Sequence, residues 1–158
     1  MMTVKIYEHA AELPEMRAEN YFHSPALMAL LEHTPRLKPL MATVIDDDGR
    51  VVAHMLVSVR YCTSWFPPYL YTHARILGEG EYESKKEEAF RLMLDGVKQR
   101  LNNKVLYFEL SNLSEKMFGY GTLRQAGFFA VKWMSVHNSL HSRTPEERIT
   151  PRLPKRIE

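Results

Sequence analysis

The stretch Arg75-Ile76-Leu77-Gly78-Glu79-Gly80, with Ser84-Lys85-Lys86-Glu87 soon after it, decides the fold that this sequence predicts. The first segment ends a strand-like run over residues 70–77, and two glycines follow at once. In the second segment, a serine three residues before a glutamate predicts the capping box of a helix N-terminus. A strand, a glycine turn and a helix in this order are typical of an α/β unit that binds small molecules.

The elements downstream of this unit continue the same pattern. A helix over residues 84–101 contains Gly96, which costs about 1 kcal/mol relative to alanine, so we expect close packing against a strand there. Residues 105–108 predict a strand covered on both faces. A helix over residues 114–125 ends at Gly127, and residues 128–137 predict a last strand. The helix over residues 84–101 places one apolar stripe against a sheet: Phe90, Met93, Leu94, Val97 and Leu101.

The elements upstream of this unit are a helix and a hairpin. Ser24-Pro25 predicts a helix start, because serine caps the free amides and proline tolerates the first helical position. The helix ends before Pro35 and carries Leu27, Leu30 and Leu31 inward. Residues 40–45 and 51–59 are β-branched runs around an Asp-rich turn, which predicts an antiparallel hairpin with His54 on its mixed face. Residues 3–7 predict an opening strand.

Composition narrows the class of protein. A chain of 158 residues with 45% apolar and 25% charged residues fits one globular domain. A net charge of +2 does not favour DNA binding.

No apolar run approaches the roughly 20 residues of a membrane span, and no signal peptide pattern begins the chain, so we expect a cytoplasmic protein. Cys62, the single cysteine, cannot form an internal disulfide. His137 and His141 lack a third ligand cluster, so no metal site is predicted.

The order of elements resembles the acyl-CoA N-acyltransferase superfamily, the GNAT-like fold. In that fold the glycine turn has the pattern Arg/Gln-x-x-Gly-x-Gly/Ala, which Arg75, Gly78 and Gly80 match. The resemblance implies one α/β (α+β) domain with a mixed central sheet and helices on both faces. It also implies that these three residues and Asn112 contact an acyl-CoA cofactor, acetyl-CoA or coenzyme A. Glycines let backbone amides approach a pyrophosphate closely, and the dipole of the helix that follows favours the negative charge of the phosphates.

A closer resemblance is to the first half of Fem-type (FemAB-like) bacterial proteins, which have two tandem GNAT-like halves and pass an acyl or aminoacyl group to an amine. It implies a GNAT-like domain over residues 1–142. Residues 143–158 would form a basic tail or the start of a linker to a second domain that this chain lacks. The segments that carry the resemblance are Phe22-His23-Ser24, Phe66-Pro67-Pro68-Tyr69, Gly78-Glu79-Gly80-Glu81-Tyr82 and Asn138-Ser139-Leu140-His141-Ser142.

Two residues are candidates for the chemistry of acyl transfer to an amine, which needs a base for the ammonium proton and an acid for the leaving group. Glu109 closes the strand predicted over residues 105–108 and is the candidate base. Tyr120, in the helix predicted over residues 114–125, is the candidate acid. The alternative is a solvated glutamate and a packing tyrosine. Five glutamates around the glycine turn would repel a polyphosphate, so an ordinary turn remains the alternative to a phosphate site.

Three functions follow from these features. The first is an acyltransferase with a small-molecule amine acceptor. The second is a catalytically silent half that supports a second GNAT-like domain or a partner chain, with a homodimer as one form. The third is an unrelated interaction module that binds a partner through the aromatic loop at residues 65–69.

Overall fold

The computed structural model describes residues 2–61, 72–102, 104–113 and 117–131. Within these ranges the helices are α1 (Pro25–Glu32), α2 (Lys86–Leu101) and α3 (Tyr120–Gln125), and two 3₁₀ turns span Ala10–Glu12 and Tyr21–His23. The strands are β1 (Thr3–Tyr7), β2 (Leu37–Ile45), β3 (Val51–Arg60), β4 (His73–Leu77), β5 (Glu81–Tyr82) and β6 (Tyr107–Ser111).

The strands form one mixed sheet in the order β1-β2-β3-β4-β6, and β5 pairs with β3. All pairs are antiparallel except β4 and β6, which are parallel. A parallel pair requires a crossover connection, and α2 provides it. The predicted α/β fold with a mixed sheet is therefore confirmed, as are the opening strand and the hairpin of β2 and β3.

The sheet carries helices on both faces, as predicted. Alternate residues of β3 face the two sides, with Met55 and Val57 in the large core under α2 and Leu56 in a smaller core under α1. The predicted apolar stripe of α2 is fully buried. Gly96 lies against β1, where an added Cβ would be 3.0 Å from Val4 Cγ1, so the predicted close packing is confirmed.

The start of α1 is confirmed and that of α2 is not. The Ser24 side chain accepts a hydrogen bond from the amide of Leu27 at 3.1 Å. In α2 the capping box prediction is wrong, because the N-cap is Lys85 and no side chain caps the helix. The amide of Glu83 still donates to the carbonyl of Val52 in β3. Because the chain remains hydrogen-bonded to the sheet up to Glu83, Ser84 does not reach the cap position.

Two predictions about apolar residues are also wrong. Leu30 is 57% exposed, because the face of α1 that meets the sheet carries Met28, which is fully buried, with Leu27 and Leu31 beside it. The strand predicted over residues 105–108 is shifted to Tyr107–Ser111 and is not covered on both faces, since Tyr107 is 52% exposed. The apolar residues in a sequence do not by themselves show which face of a helix or strand is covered by another element.

The end of the described chain only partly follows the prediction. Gly127, with φ +90°, ends α3 as expected, but Phe128 to Val131 form no strand. Several predicted features lie outside the described residues: Cys62, the aromatic loop at 65–69, Ser114, the rest of the last strand, His137, His141 and the tail at 143–158. None of the helices in the described ranges is long and apolar enough to span a bilayer.

We expect Gly119→Ala to lower the free energy of unfolding by about 2 kcal/mol, because it combines backbone strain with a clash. Gly119 has φ +67°, and an added Cβ would lie 2.5 Å from Cε1 of the buried Phe90. Gly121→Ala is the matched control, since nothing lies within 4 Å of its added Cβ. In a helix that change stabilises by roughly 0.5 to 1 kcal/mol. Urea unfolding of both variants checks the sign, and equal effects would contradict this packing.

Candidate functional site at the glycine bulge

The two glycines of the predicted phosphate turn lie inside the sheet rather than at the start of a helix. Ile76 pairs with Val57 and Glu81 pairs with His54, so the four residues 77–80 face only two residues of β3. This is a bulge between β4 and β5. Gly78 and Gly80 have φ values of +92° and +86°, which only glycine adopts without strain. Helix α2 begins six residues after Gly80.

Both glycine amides donate to acceptors within the protein. The amide of Gly78 lies 2.8 Å from the carbonyl of Ser111, and that of Gly80 lies 3.0 Å from Nε2 of His23. A phosphate at this turn would have to replace both contacts. The assignment of Arg75, Gly78 and Gly80 to acyl-CoA stays a prediction, and these contacts place the glycines in a strand bulge.

His23 fills the space that the bulge opens. Its ring is fully buried, and Nδ1 accepts a hydrogen bond from the amide of Leu56 at 3.1 Å. The ring also bonds to the Leu77 carbonyl, for which it must donate. A neutral imidazole has one donor and one acceptor, so the ring can accept only one of the two amides that lie next to its nitrogens, those of Leu56 and Gly80.

Burial, helped by the nearby His54, lowers the pKa of His23 to about 4 against the opposing effect of the Glu81 and Glu79 carboxylates. The unfolded chain takes up this proton near pH 6.5, the ordinary value. Stability from the neutral ring is therefore complete above pH 6.5 and falls as the pH drops toward 4. The expected loss is about 3 kcal/mol, from the shift in pKa between the two states.

Urea unfolding of the wild type and of His23→Gln at pH 7 and pH 4 tests this dependence. The variant has no titrating ring at this position, so its stability should fall by about 3 kcal/mol less than that of the wild type. The other carboxylates and histidines are common to both proteins and cancel in the difference. The same pH dependence in the two proteins would rule out a buried neutral His23.

Arg75 and Glu109 come together on neighbouring strands. They are register partners on β4 and β6, and Arg75 Nε lies 3.5 Å from Glu109 Oε1. The Ser111 hydroxyl donates to the same oxygen at 3.1 Å. Ala74 and Ile76 point into the core under α2, so this cluster lies on the opposite face of the sheet. The structure thus joins a residue predicted for the cofactor to the predicted base.

Asn112 and Tyr120 lie on either side of the connection between β6 and α3. The Asn112 side chain donates to the carbonyl of Phe118 at 3.1 Å and so ties the end of β6 to the start of α3. Tyr120 is the first residue of α3 and is 46% exposed. Among the described residues, no hydrogen bond or ion pair links Tyr120 to Glu109. Its role as the acid stays a prediction.

A cleft that the sequence analysis did not find lies further along the same face. Its volume is about 620 Å³, and its walls include the side chains of His54, Glu81, Glu19, Glu83 and Arg17. The carboxylate of Glu81 accepts the amides of Glu19 and Asn20 at 3.0 and 2.7 Å, which fixes the loop before the second 3₁₀ turn. The only signal in the sequence was the position of His54 on the mixed face of β3.

Comparison with known proteins identifies the class of fold. No family model matches the chain, and no curated protein is significantly similar to it in sequence. Solved structures do match: an aminoglycoside 6'-N-acetyltransferase from Acinetobacter baumannii has 10% identity and a TM-score of 0.55, over 90% of this chain and 100% of that one. An acetyltransferase from Trypanosoma brucei has 12% identity and a TM-score of 0.53, over 88% and 100%.

A third structure, an aminoglycoside acetyltransferase from an uncultured soil metagenomic sample in complex with trehalose, has 7% identity and a TM-score of 0.52, over 90% of this chain and 97% of that one. At such identities the likeness concerns the fold alone. The chain has the fold of the GNAT-type acetyltransferases, as the order of its elements predicted. The closer relation to Fem-type proteins stays a prediction.

Proposed function

We propose that this protein is an N-acyltransferase that takes an acyl group from acyl-CoA and passes it to an amine. The observation that carries the proposal is the end of a parallel strand pair at a bulge. Strands β4 and β6 pair from His73 and Tyr107 as far as Leu77 and Ser111, and the last contact between them joins Gly78 to Ser111. The carboxyl ends of parallel strands are where open α/β sheets bind ligands.

The bulge offers a donor for the chemistry. Acyl transfer develops negative charge on the carbonyl oxygen of the donor, and a fixed N–H near that oxygen stabilises it. The amide of Gly80 is the candidate, because a neutral His23 ring cannot accept both this amide and that of Leu56. When bound, acyl-CoA would supply the thioester, and this chain would orient its carbonyl.

The remaining predicted residues take the following roles in the proposal. Glu109, which lies in the middle of β6 rather than at its predicted end, accepts the proton of the attacking ammonium, and Arg75 holds its carboxylate in place. Asn112 fixes the segment that follows β6. Tyr120 gives a proton to the leaving thiolate. Each role is tested by substitution, with the rate of thiol release as the readout.

A second candidate, a catalytically silent GNAT-like half, is favoured by the packing beside α2. The ring of Phe118 packs against Phe90 and Tyr82, with centroid distances of 4.9 and 5.6 Å, and the Lys86 ammonium lies 4.6 Å above it. These side chains occupy the first turn of α2, where a phosphate would meet the helix dipole. Such a half would support a second GNAT-like domain, as in Fem-type proteins, or a second copy of this chain.

Acetyl-CoA turnover separates the two candidates. The full chain is mixed with acetyl-CoA and a panel of primary amines, and free thiol is measured over time. Amine-dependent thiol release above the uncatalysed rate supports the enzyme. Release that is absent, together with a dimer mass in solution or binding to a second GNAT-like domain, supports the silent half.

A further inference from the structure

Three hydrogen-bond donors lie side by side on one face of the sheet, in a row that crosses its strands. Arg60 on β3 pairs with His73 on β4, and His73 pairs with Tyr107 on β6; we call these three residues the donor row. Neighbouring strands lie about 5 Å apart, so the three side chains begin within roughly 10 Å of one another. The row lies on the face away from α2, because each member adjoins a residue of the core under α2: Val59, Ala74 and Phe108.

The side chains of the donor row are open to solvent. Tyr107 is 52% exposed, Arg60 is exposed and His73 is half-buried. The rings of His73 and Tyr107 meet edge to face, with centroids 6.4 Å apart. Among residues 2–61, 72–102, 104–113 and 117–131, none offers a hydrogen-bond acceptor to these three side chains. The row therefore presents guanidinium, imidazole and phenol donors to the solvent.

The positive charge of Arg60 is not balanced by an ion pair within the described ranges. The neighbouring row on this face consists of Ser58, Arg75 and Glu109. The carboxylate of that row already has partners, because Glu109 lies 3.5 Å from Arg75 and accepts the Ser111 hydroxyl at 3.1 Å. The donor row itself contains no carboxylate, so it keeps a positive charge.

We propose that the donor row binds an oxyanion, which is a phosphate or a carboxylate group of a ligand. An arginine presents N–H groups in a planar fork that bonds two oxygens of such a group at once. The imidazole of His73 and the phenol of Tyr107 each add one donor for the same group. An oxyanion supplies several acceptors and negative charge on one centre, and this combination matches the donors and the charge of the row.

The donor row is separate from the bulge where we place acyl-CoA. His73 begins β4 and Gly78 directly follows the end of that strand, so five residues, or about 16 Å of strand, separate the two sites. Binding of an oxyanion requires neither acyl-CoA nor an amine. The two proposals can therefore fail independently.

Titration of the full chain with sodium phosphate and with sodium acetate tests the site, with sodium chloride at the same ionic strength and pH as the reference. Chloride carries negative charge but has no set of oxygens for the three donors. We expect at least one oxyanion to give saturable shifts of the Arg60 Nε resonance and of the His73 ring nitrogens, and chloride to give none. The absence of such shifts at millimolar phosphate and acetate, or equal shifts with chloride, would overturn the proposal.

The matched variants are Arg60→Gln and Arg91→Gln. Both remove one positive charge from an exposed position, and Arg91 lies on α2, which covers the other face of the sheet. We expect Arg60→Gln to weaken oxyanion binding at least tenfold and Arg91→Gln to bind as the wild type does. Equal weakening in the two variants would show a general effect of charge and would overturn the site.

Tyr107→Phe keeps the exposed ring and removes only the hydroxyl donor, so oxyanion affinity should fall about threefold. A ring that only packs against His73 would not show this loss. Unchanged affinity in Arg60→Gln or in Tyr107→Phe overturns the donor row as the site.

Comparison of the two probes identifies the source of the oxyanion. Tenfold tighter binding of phosphate than of acetate assigns the row to a phosphorylated ligand, and the reverse assigns it to a carboxylate. Both results support an oxyanion site. Binding of neither probe overturns it.

Discussion

His23→Ala should lower the free energy of unfolding by about 3 to 5 kcal/mol, the largest loss that we expect from a single substitution. The change opens a cavity at a fully buried ring and removes the acceptor of the Leu56 amide. Emptying a buried site of this size costs several kcal/mol, and an unsatisfied buried donor adds to it. Since domains are stable by only about 5 to 15 kcal/mol, the loss should be evident in urea unfolding.

His33→Ala provides the matched control for that prediction. The ring of His33 is exposed and makes one bond, from Nδ1 to the carbonyl of Ala29 at 2.8 Å, at the end of α1. We expect its loss to cost less than about 1 kcal/mol. Similar effects of the two substitutions would mean that His23 does not support the bulge.

Glu109→Gln should lower kcat for acyl transfer by roughly 10² to 10⁴, the usual contribution of a general base. The amide has the shape of the carboxylate and can still accept from the Ser111 hydroxyl, but it cannot take the ammonium proton. KM for acetyl-CoA should change little, because the donor does not depend on this proton. The measurement is steady-state thiol release with saturating amine.

Asp95→Asn is the control for the loss of charge, since Asp95 is an exposed carboxylate on α2. It should keep the wild-type rate. An active wild type with an equally active Glu109→Gln would remove Glu109 from the mechanism and leave the base to another residue.

The parts of the fold with local causes were predictable from the sequence. Ser24-Pro25 fixes the start of α1 by a hydrogen bond three residues away, and the Asp-rich turn joins β2 to β3 within five residues. The apolar stripe of α2 also follows from spacing alone. In each case the interactions that decide the structure lie within a few residues of one another.

The bulge and its contacts were not predictable, because they depend on distant residues. Gly78-Glu79-Gly80 matches a phosphate turn as a pattern, whereas its conformation is set with His23, which is 57 residues from Gly80. The cleft likewise joins Glu81 to the loop at Glu19, 62 residues away. A single sequence does not say which distant side chain fills such a gap.

The positions of the predicted site residues followed from the sequence only in part. Arg75 and Glu109 meet because β4 and β6 are parallel neighbours, which the order of elements implied. Tyr120 and Asn112 depend on where α3 begins, and Gly119 delays that start with its positive φ. The position of a helix start within a loop is weakly encoded, so the roles of these two residues stay predictions.

The central claim is that acyl-CoA binds where the pairing of β4 with β6 ends. Its most direct test is a titration of the full chain with acetyl-CoA, followed through the backbone amide resonances in ¹H–¹⁵N spectra. We predict saturable shifts that are largest at residues 78–80 and 112–113, which directly follow the two strands. The absence of any shift at millimolar acetyl-CoA, or shifts confined to residues away from these strand ends, would contradict the claim.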